Sequence, residues 1–385
     1  MDPTPPKTLT KKQAQRVRRA KSQGERLFEL MQARSPERPH MDPARILSVA
    51  LAVLIQLPTI AIAVLGLYVL VSSFPHASGF VIGLPLLFVA ALLIPHFGKL
   101  DKRDVKLSRR EAPVLYGVVD RIAISVGAKP VDLIALDPRF NASHAMIGLR
   151  RRRVLWLGLA LWNVLDGRER VALLGHELGH QVNGDLSRGV LVGTALRTLA
   201  SWYQLLWPGR QRRSRSRTFG FVDLAEMSAR GFFWLFRVVV GALYRLERQL
   251  LYRSGQRAEY LADALSARLA GRESAIGVLD ALYLADTGTK ALVYAARRSE
   301  PDVWEAERRF LRDLPEQERE RLRRAQARQG HAVDSSHPPT NLRIQFLRAL
   351  PLTGDPVVVS EAEWEAIAAE MKPGYDRFDR MLRER

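Results

Sequence analysis

Two histidines and a glutamate lie within the segment HELGH at residues 176–180. In a helix, residues four apart share one face, so His176 and His180 can bind one zinc ion through their imidazoles. Glu177 would then reach a water molecule on that ion and take its proton. The spacing therefore predicts a zinc-dependent hydrolytic site. A pair of surface histidines beside a solvated acid is the alternative at this point.

A catalytic zinc ion needs a third protein ligand and one open coordination position. The chain contains no cysteine, so the third ligand must be a histidine or an acid. The segment RAEYLAD at residues 257–263 places Glu259 and Asp263 one helical turn apart. We predict that Glu259 is the third ligand and that Asp263 accepts the outer N–H of a ligating histidine, which fixes its tautomer. Taken alone, such an acid pair is typical of a solvated helix face, so the prediction depends on the HELGH segment.

Local signals indicate the two helices that must hold these side chains. Asp166 can cap a helix in which Glu169 lies three positions further on, which is a capping-box pattern. Apolar residues then continue at helical spacing as far as Gly184, which marks the end of this helix. The helix that carries Glu259 runs to Gly271, where a glycine again gives the stop signal.

The composition bounds the class of protein. A chain of 385 residues is long enough for about two to three domains, and its composition excludes a collagen and a wholly disordered chain. Without cysteine there is no disulfide framework and no thiolate nucleophile. The net charge of +19, from 59 Lys and Arg against 40 Asp and Glu, indicates anionic partners, and we expect anionic lipid headgroups. No specific nucleic acid is expected, since no nucleic-acid-binding motif accompanies the arginines.

Two long apolar runs, Ile46 to Phe74 and Gly79 to Phe97, predict a transmembrane helical hairpin at residues 46–97. The short turn between them contains no Lys or Arg, whereas basic residues lie on both outer flanks. By the positive-inside rule both flanks are cytoplasmic. We therefore expect a multi-pass protein of the cell membrane, with its active site facing the cytoplasm and a basic cytoplasmic arm at residues 1–45. The alternative is a buried hairpin of a soluble protein.

Residues 98–350 are predicted to form one domain after the hairpin. Its first part has the pattern of a small α+β unit, with a helix at residues 112–127, a strand at 131–136 and further strands within 141–161. The strands predict a small sheet next to the helix that carries HELGH.

A basic insertion near residues 186–250 interrupts this domain. Its apolar stretches at 189–207 and 231–251 contain arginines, so we expect helices at the cytoplasmic membrane interface, with a second transmembrane hairpin as the alternative. Residues 351–385 predict a short strand and an amphipathic helix that Ser360 can cap. The predicted fold class is mainly α with a small β-sheet, an α+β arrangement.

Several segments together resemble one family. HELGHQVNGD, EYLAD, REAPVLYGVVD, the pair Asn141-Ala142 and SSHPPTNLRI, with the hairpin before them, are similar to the HtpX-type membrane zinc metallopeptidases. These enzymes are gluzincins and relatives of the CAAX prenyl endopeptidases. The resemblance covers residues 46 to about 350. It implies a zincin-like metallopeptidase domain and metal-dependent endoproteolysis.

The resemblance also implies roles for particular residues. It implies one Zn²⁺ per chain, with Glu177 as the general base. Asn141 and Ala142 match the family's edge strand, which binds an extended substrate by strand addition. His337, which precedes two prolines, matches a histidine that stabilises the oxyanion, and Arg343 matches the charged supporter of that histidine. The implied metal ligands are His176, His180 and Glu259.

The expected function is therefore that of a membrane-anchored zinc endopeptidase. Its expected partners are protein or peptide substrates, chiefly membrane proteins in quality control. A CAAX-type processing peptidase is one alternative, although the few convincing spans argue against a multi-span chamber. A non-catalytic, membrane-tethered adapter that binds anionic partners is another, and metal content would discriminate it from an enzyme. No motif predicts an oligomeric state.

Overall fold

The computed structural model describes residues 25–31, 43–74, 76–93, 99–148, 150–205, 221–329, 338–351 and 356–384. The numbered helices are α1 (Pro43–Ser72), α2 (Ala77–Leu93), α3 (Pro113–Val126), α4 (Leu159–Val164), α5 (Gly167–Val182), α6 (Asp185–Leu205), α7 (Phe221–Ala270), α8 (Arg272–Leu282), α9 (Ala285–Arg297), α10 (Val303–Arg312), α11 (Glu316–Gln329), α12 (Thr340–Ala349) and α13 (Glu361–Arg383). The strands are β1 (Val105–Leu107), β2 (Leu133–Asp137), β3 (Ala142–Ile147) and β4 (Arg152–Gly158). A further helical segment lies at residues 25–31.

The chain divides into two compact units that are discontinuous in sequence. The sheet-containing unit comprises residues 1–40, 99–186 and 255–385, and the hairpin-containing unit comprises residues 41–98 and 187–254. Helix α7 belongs to both, because the boundary falls within it. The domains predicted from the sequence are consecutive segments of the chain, whereas these two units are discontinuous. The predicted bounds stay predictions.

The described sheet has four strands in the order β1-β2-β4-β3. The central strands β2 and β4 are parallel, while β1 and β3 pair antiparallel to them at the two edges. β3 and β4 form a hairpin in which Ala142 lies opposite Leu157 and Ile147 lies opposite Arg152. Among the described residues no strand pairs with the outer side of β3. This edge is therefore open to an added strand.

Helix α3 is held at both ends. It begins with Pro113, which suits the first helical position because an N–H there needs no partner within the helix. The carboxylate of Glu370 on α13 supplies the cap and accepts the N–H groups of Val114 and Leu115 at 2.8 and 2.9 Å. The helix ends at Gly127, whose φ of 76° is a conformation that suits glycine.

The core of the sheet-containing unit lies where α3, α5 and the sheet meet. Tyr116 of α3 is buried, and its hydroxyl donates to the carbonyl of Leu107 at 2.8 Å and accepts from the N–H of Ile134 at 2.9 Å. These bonds fix α3 against β1 and β2. Leu155 of β4 is fully buried in the same core. Burial of one such side chain stabilises the fold by about 1.5–3 kcal/mol.

Helix α5 begins at the predicted cap. The carboxylate of Asp166 accepts from the N–H of Glu169 at 2.8 Å, and the carboxylate of Glu169 accepts from the N–H of Asp166 at 2.9 Å. Near the other end, the side-chain amide of Gln181 accepts from the N–H of Lys129 and donates to its carbonyl at 3.1 Å. Both ends of the HELGH helix are thus fixed, one by local and one by tertiary hydrogen bonds.

The hairpin-containing unit presents a large apolar surface. Of the described helices, α1 is long and apolar enough to cross a membrane, and the apolar α2 has 17 residues. Large exposed apolar side chains on these helices include Leu54, Tyr68, Val71, Val81 and Phe88, and Phe74 just after α1 is also exposed. Contiguous apolar surface of this extent is typical of an interaction with lipid or with another protein.

Parts of α6 and α7 pack along α1 within the same unit. Ile55 of α1 is buried together with Leu199 of α6 and Val240 of α7. The hydroxyl of Ser48 donates to the carboxylate of Glu247 at 2.9 Å, so a buried polar contact also joins α1 to α7. The described parts of the two arginine-containing stretches, residues 189–205 and 231–251, are thus helical and pack on α1. Their location at the membrane interface stays a prediction.

In the C-terminal segment, the described residues 356–384 contain the predicted helix but no sheet strand. Ser360 caps α13 in a capping box with Glu363. The described residues before it are extended, and the N–H of Val357 donates to the carbonyl of Leu269 at 2.8 Å. This contact satisfies a carbonyl that the end of α7 leaves without a helical partner.

The mainly α fold with a small sheet is confirmed. Strand β1 was not predicted, because three residues are too few to show the alternation of a strand.

Candidate metal centre

Two glycines on α5 allow a close approach of α7. Gly175 and Gly179 lie one helical turn apart, and a Cβ atom on Gly179 would lie 3.2 Å from the Cα of Ala262. Ordinary carbon contacts lie at about 3.5–4.0 Å, so a larger residue would push the helices apart. The hydroxyl of Ser266 also joins the two helices by donating to the carbonyl of Ala172 at 2.7 Å. The glycine inside HELGH therefore sets how near the ligands of the two helices come.

This approach brings the three predicted ligands together. Nε2 of His176 lies 3.5 Å from Oε2 of Glu259, and Nε2 of His180 lies 3.5 Å from Oε1 of the same carboxylate. Ligand atoms of all three residues lie within 4.8 Å of one another. The residues come from α5 and α7 and form a group that could hold one metal ion.

The donor set fits a zinc ion. Zinc binds imidazole nitrogen and carboxylate oxygen at about 2.0–2.2 Å, and a tetrahedral arrangement then separates the donor atoms by roughly 3.3–3.5 Å. Each histidine Nε2 lies 3.5 Å from one of the two Glu259 oxygens, so the carboxylate faces both imidazoles at a separation that suits shared binding of an ion. Three protein ligands leave a fourth position for water, which is the arrangement of catalytic rather than structural zinc sites.

Asp263 and Arg343 lie beside these ligands, and Nη2 of Arg343 is 3.5 Å from Nε2 of His176. Nδ1 of His176 is 3.1 Å from Oδ1 of Asp263. Arg343 donates to both carboxylate oxygens of Asp263, at 2.7 and 2.6 Å, and its Nη1 lies 3.2 Å from Oε2 of Glu259. A carboxylate on Nδ1 fixes the tautomer that leaves the Nε2 lone pair for a metal ion.

The charges in this cluster shift the pKa values of its members. Burial disfavours ionised Asp263, but the guanidinium of Arg343 outweighs burial and holds the pKa of Asp263 below its usual value. Burial also disfavours protonated His176, yet hydrogen bonds with Asp263 and Glu259 outweigh it and raise the pKa of His176 to about 10. The cluster thus favours positive charge on its ligand side. A metal cation supplies that charge in place of a proton.

Glu177 follows His176 on α5 and is buried, with 8% of its surface exposed. Consecutive helical residues point about 100° apart, so Glu177 does not share the ligand face of His176 and His180. It is not a member of the ligand group found in the described part of the chain. The predicted roles of all these residues stay predictions.

The edge strand β3 lies against α5. Asn141, just before the strand, is exposed, and Ala142 at its start is buried. Two residues further on, Nδ1 of His144 lies 3.3 Å from the backbone oxygen of Glu177. The open edge of β3 thus belongs to a strand that contacts the helix with the ligands. A strand in this position can pair with an extended peptide.

His337 lies outside the described residues, so its role stays a prediction. Arg343, which the resemblance pairs with His337, contacts the acids on α7. The sequence alone singles out neither this contact nor His144. Alternation along a strand could have drawn attention to His144, which shares a face with Ala142. No local signal predicts the contact of Arg343, because 80 residues separate it from Asp263.

Taken together, the small sheet, the helix with two histidines and the acid from a second helix are those of a metallopeptidase. The chain belongs to Peptidase family M48, whose model matches residues 110–350, more than half of the sequence. It is 24% identical over 302 residues to the Protease HtpX homolog of Pyrobaculum calidifontis, a match that covers 75% of this chain and 83% of that protein. The predicted HtpX-like family is confirmed, and peptides or proteins are the substrates of such an enzyme.

Proposed function

We propose that this protein is a zinc-dependent endopeptidase in which His176, His180 and Glu259 hold one zinc ion per chain. The observation that carries the proposal is the 3.5 Å separation between the Glu259 oxygens and Nε2 of each histidine. Two imidazoles, one carboxylate and an open fourth position are the donor set of a catalytic zinc site. Membership in a peptidase family supports the same class of reaction.

Glu177 is the general base in this proposal and afterwards the general acid. Zinc, when bound, polarises a water molecule and the carbonyl of the peptide to be cleaved. Glu177 takes a proton from the water and passes it to the nitrogen of the leaving amine, so one carboxylate serves both transfers. The place of Glu177 next to His176, but outside the ligand group, supports this role.

The residues beside the ligands prepare them for the ion. Asp263 accepts the Nδ1–H of His176 and so keeps the Nε2 lone pair on the ligand side. Arg343 keeps Asp263 ionised and also lies beside Glu259. For His337, the proposed stabilisation of the oxyanion has the family resemblance as its support.

The substrate in this proposal is an extended segment that pairs with β3, beginning at Asn141 and Ala142. The open edge of β3 and its contact with α5 support this position. Main-chain hydrogen bonds along an edge strand recognise the backbone rather than a sequence. The enzyme would therefore cleave segments that are unfolded long enough to become extended.

We also propose that the enzyme is a multi-pass protein of the cell membrane, with its active site toward the cytoplasm. The candidate span α1, the apolar exposed surface of α1 and α2 and the basic flanks of the hairpin support this location. Basic residues near the membrane would contact anionic lipid headgroups. Membrane proteins under quality control are then the nearest substrates, and residues 98–350 are the proposed peptidase domain.

Two substitutions test the zinc site and the base separately. Glu177→Gln is expected to lower kcat for an unfolded reporter protein by about 10²–10⁴-fold with zinc content unchanged, because an amide cannot accept the proton. Glu259→Ala is expected to lose zinc as well as activity. Glu365→Gln, an exposed change on α13, is the control. Near wild-type turnover in Glu177→Gln would refute the base, and full zinc occupancy in Glu259→Ala would refute the ligand.

Proteoliposomes test the substrate class. The purified enzyme and a destabilised membrane protein are placed in vesicles that contain anionic lipid, and cleavage is measured with zinc and with a chelator. We expect zinc-dependent cleavage of the destabilised protein and much slower cleavage of its stable form. Equal cleavage of both forms would argue against quality control, and cleavage of prenylated peptides alone would favour the processing peptidase.

A further inference from the structure

Among the described residues outside the ligand group, the imidazole of His144 also contacts α5. His144 is the third residue of β3 and shares a strand face with Ala142, which is part of the core next to α5. The neighbouring positions Ala145 and Ile147 pack on the other face of the sheet. The side chain of His144 therefore lies between the edge strand and the helix that carries Glu177.

One hydrogen bond fixes the state of this ring. Nδ1 of His144 lies 3.3 Å from the backbone oxygen of Glu177, and a carbonyl oxygen only accepts, so Nδ1 carries the hydrogen. The hydrogen bond with Glu177 raises the pKa of His144, but burial lowers it by more, to about 4. The ring is therefore neutral near pH 7. The neutral tautomer with Nδ1–H is thus the one that the contact requires.

The other ring nitrogen does not explain why a histidine occupies this position. Nε2 of His144 is buried and has no hydrogen-bond partner in the described part of the chain. A buried acceptor left unpaired costs about 1–3 kcal/mol, which an apolar side chain of similar size would avoid. Among the described residues, the bond that Nδ1 donates to Glu177 is the contact of this ring that needs a hydrogen-bond donor.

We propose that His144 is a positioning residue that fixes β3 relative to the turn of α5 that carries Glu177. This inference rests on the proposed function, in which an extended substrate pairs with β3 while Glu177 serves as the base. The backbone of β3 then sets the position of the substrate carbonyl, and the bond from His144 sets the distance from that backbone to the base. A displacement of about 1 Å at a reacting centre can lower the rate by roughly 100-fold.

The proposal predicts that the effect of His144 depends on substrate length. A peptide of about eight residues can pair with the whole strand, whereas a tripeptide reporter cannot. Losing the bond should therefore lower kcat/KM for the long peptide about tenfold and change that for the short one by less than about twofold. A simple loss of folded enzyme would lower both values equally.

Three variants test this prediction. His144→Phe keeps a ring but removes the donor, while His144→Asn places an amide N–H near the position of Nδ1 and should restore most of the activity on the long peptide. Glu365→Gln, the exposed change on α13, is again the control because it lies outside the sheet and the ligand group. Zinc content and the thermal midpoint are measured for each protein, so that rates refer to folded, metal-loaded enzyme.

The outcomes separate this inference from the proposed function. A length-dependent loss in His144→Phe that His144→Asn reverses supports the positioning role. Equal losses on both peptides, no loss, or no recovery in His144→Asn would overturn it while leaving the zinc endopeptidase intact. Absence of zinc-dependent cleavage by the wild-type enzyme would overturn both.

Discussion

Buried acids at two places in the sheet-containing unit, a pair and a single glutamate, have opposite electrostatic surroundings. Glu259 and Asp263 share the guanidinium of Arg343, whose nitrogens come within 3.2 and 2.6 Å of their oxygens. Glu307 on α10 is fully buried as well, but its described donor is the neutral amide of Asn163 at 3.0 Å. Because both groups are buried, the comparison shows what a guanidinium in direct contact with a buried acid changes.

The pKa values differ in direction accordingly. Burial acts against the charge in both places, but Arg343 outweighs it and holds the pKa of Asp263 below its usual value. Burial raises the pKa of Glu307 to about 8, and the hydrogen bond from Asn163 offsets only part of that rise. A buried acid thus stays ionised where the fold provides a cation beside it. Metal ligation needs the ionised form, and the arginine is found at the candidate metal centre.

The largest effect is expected from removing that cation. Arg343→Met leaves Glu259 and Asp263 buried without their partner, and we expect the metal-free protein to lose about 3–5 kcal/mol of its free energy of unfolding. Added zinc should reduce this loss of stability, because it would restore positive charge beside Glu259. Urea unfolding of the purified protein, with chelator and with zinc, measures both values.

Two further variants show whether the charge is responsible. Arg343→Lys keeps the charge but lacks the planar guanidinium that contacts Asp263 and Glu259 together, and it should recover part of the loss. Arg348→Met, an exposed change on the same helix, should alter stability by less than about 0.5 kcal/mol. An Arg343→Met protein as stable as the wild type would contradict the comparison.

An effect of the opposite sign, spread over several pH units, is expected at Glu307. The unfolded chain loses this proton near pH 4.5, whereas the folded protein keeps it until about pH 8. The contribution to stability is therefore complete below pH 4.5 and is lost as the pH rises through 8, with a slope of at most about 1.4 kcal/mol per pH unit. Glu307→Gln cannot ionise, so its stability should exceed that of the wild type increasingly toward high pH.

Urea unfolding at several pH values between about 5 and 8.5 checks this slope. Glu305→Gln replaces an exposed glutamate of the same helix and should follow the wild-type curve. Parallel curves for Glu307→Gln and the wild type would show that Glu307 is ionised in the folded protein, contrary to its surroundings.

The smallest effect is expected at the neutral donor. The amide of Asn163 donates both to Glu307 and to the carbonyl of Trp304, at 3.0 and 2.8 Å. Asn163→Leu should therefore lower stability by about 1–2 kcal/mol near pH 6, where Glu307 is protonated. Combined with Glu307→Leu, it should cost less than the sum of the single changes, because the two side chains share one contact. Strict additivity would mean that the contact contributes nothing.

Much of the metal centre could be predicted from the sequence because its signals are local. The spacing within HELGH, the capping pattern that starts at Asp166 and the four-residue interval from Glu259 to Asp263 each follow from the geometry of a helix. The alternation around residues 131–161 likewise indicates the small sheet. These features depend on residues that are neighbours along one helix or strand.

The remaining features depend on residues that are distant in the chain. The contact of Arg343 with Asp263 spans 80 residues, that of His144 with Glu177 spans 33, and that of Asn163 with Glu307 spans 144. A single sequence carries no pattern for such pairs, since each side chain alone looks like an ordinary surface or loop residue. His337 shows the converse case, because its assignment depends on family resemblance and not on its own surroundings.

The close approach of α5 and α7 at Gly179 has a thermodynamic consequence if a metal ion binds between their side chains. An ion that binds only when α5 and α7 are in contact stabilises that contact by about 4 kcal/mol once its free concentration exceeds the dissociation constant a thousandfold. Removing it by chelation would weaken the attachment of α7, so local opening there would become more frequent. Such opening exposes backbone to other proteases. The enzyme would thus be more readily degraded in a cell depleted of its metal.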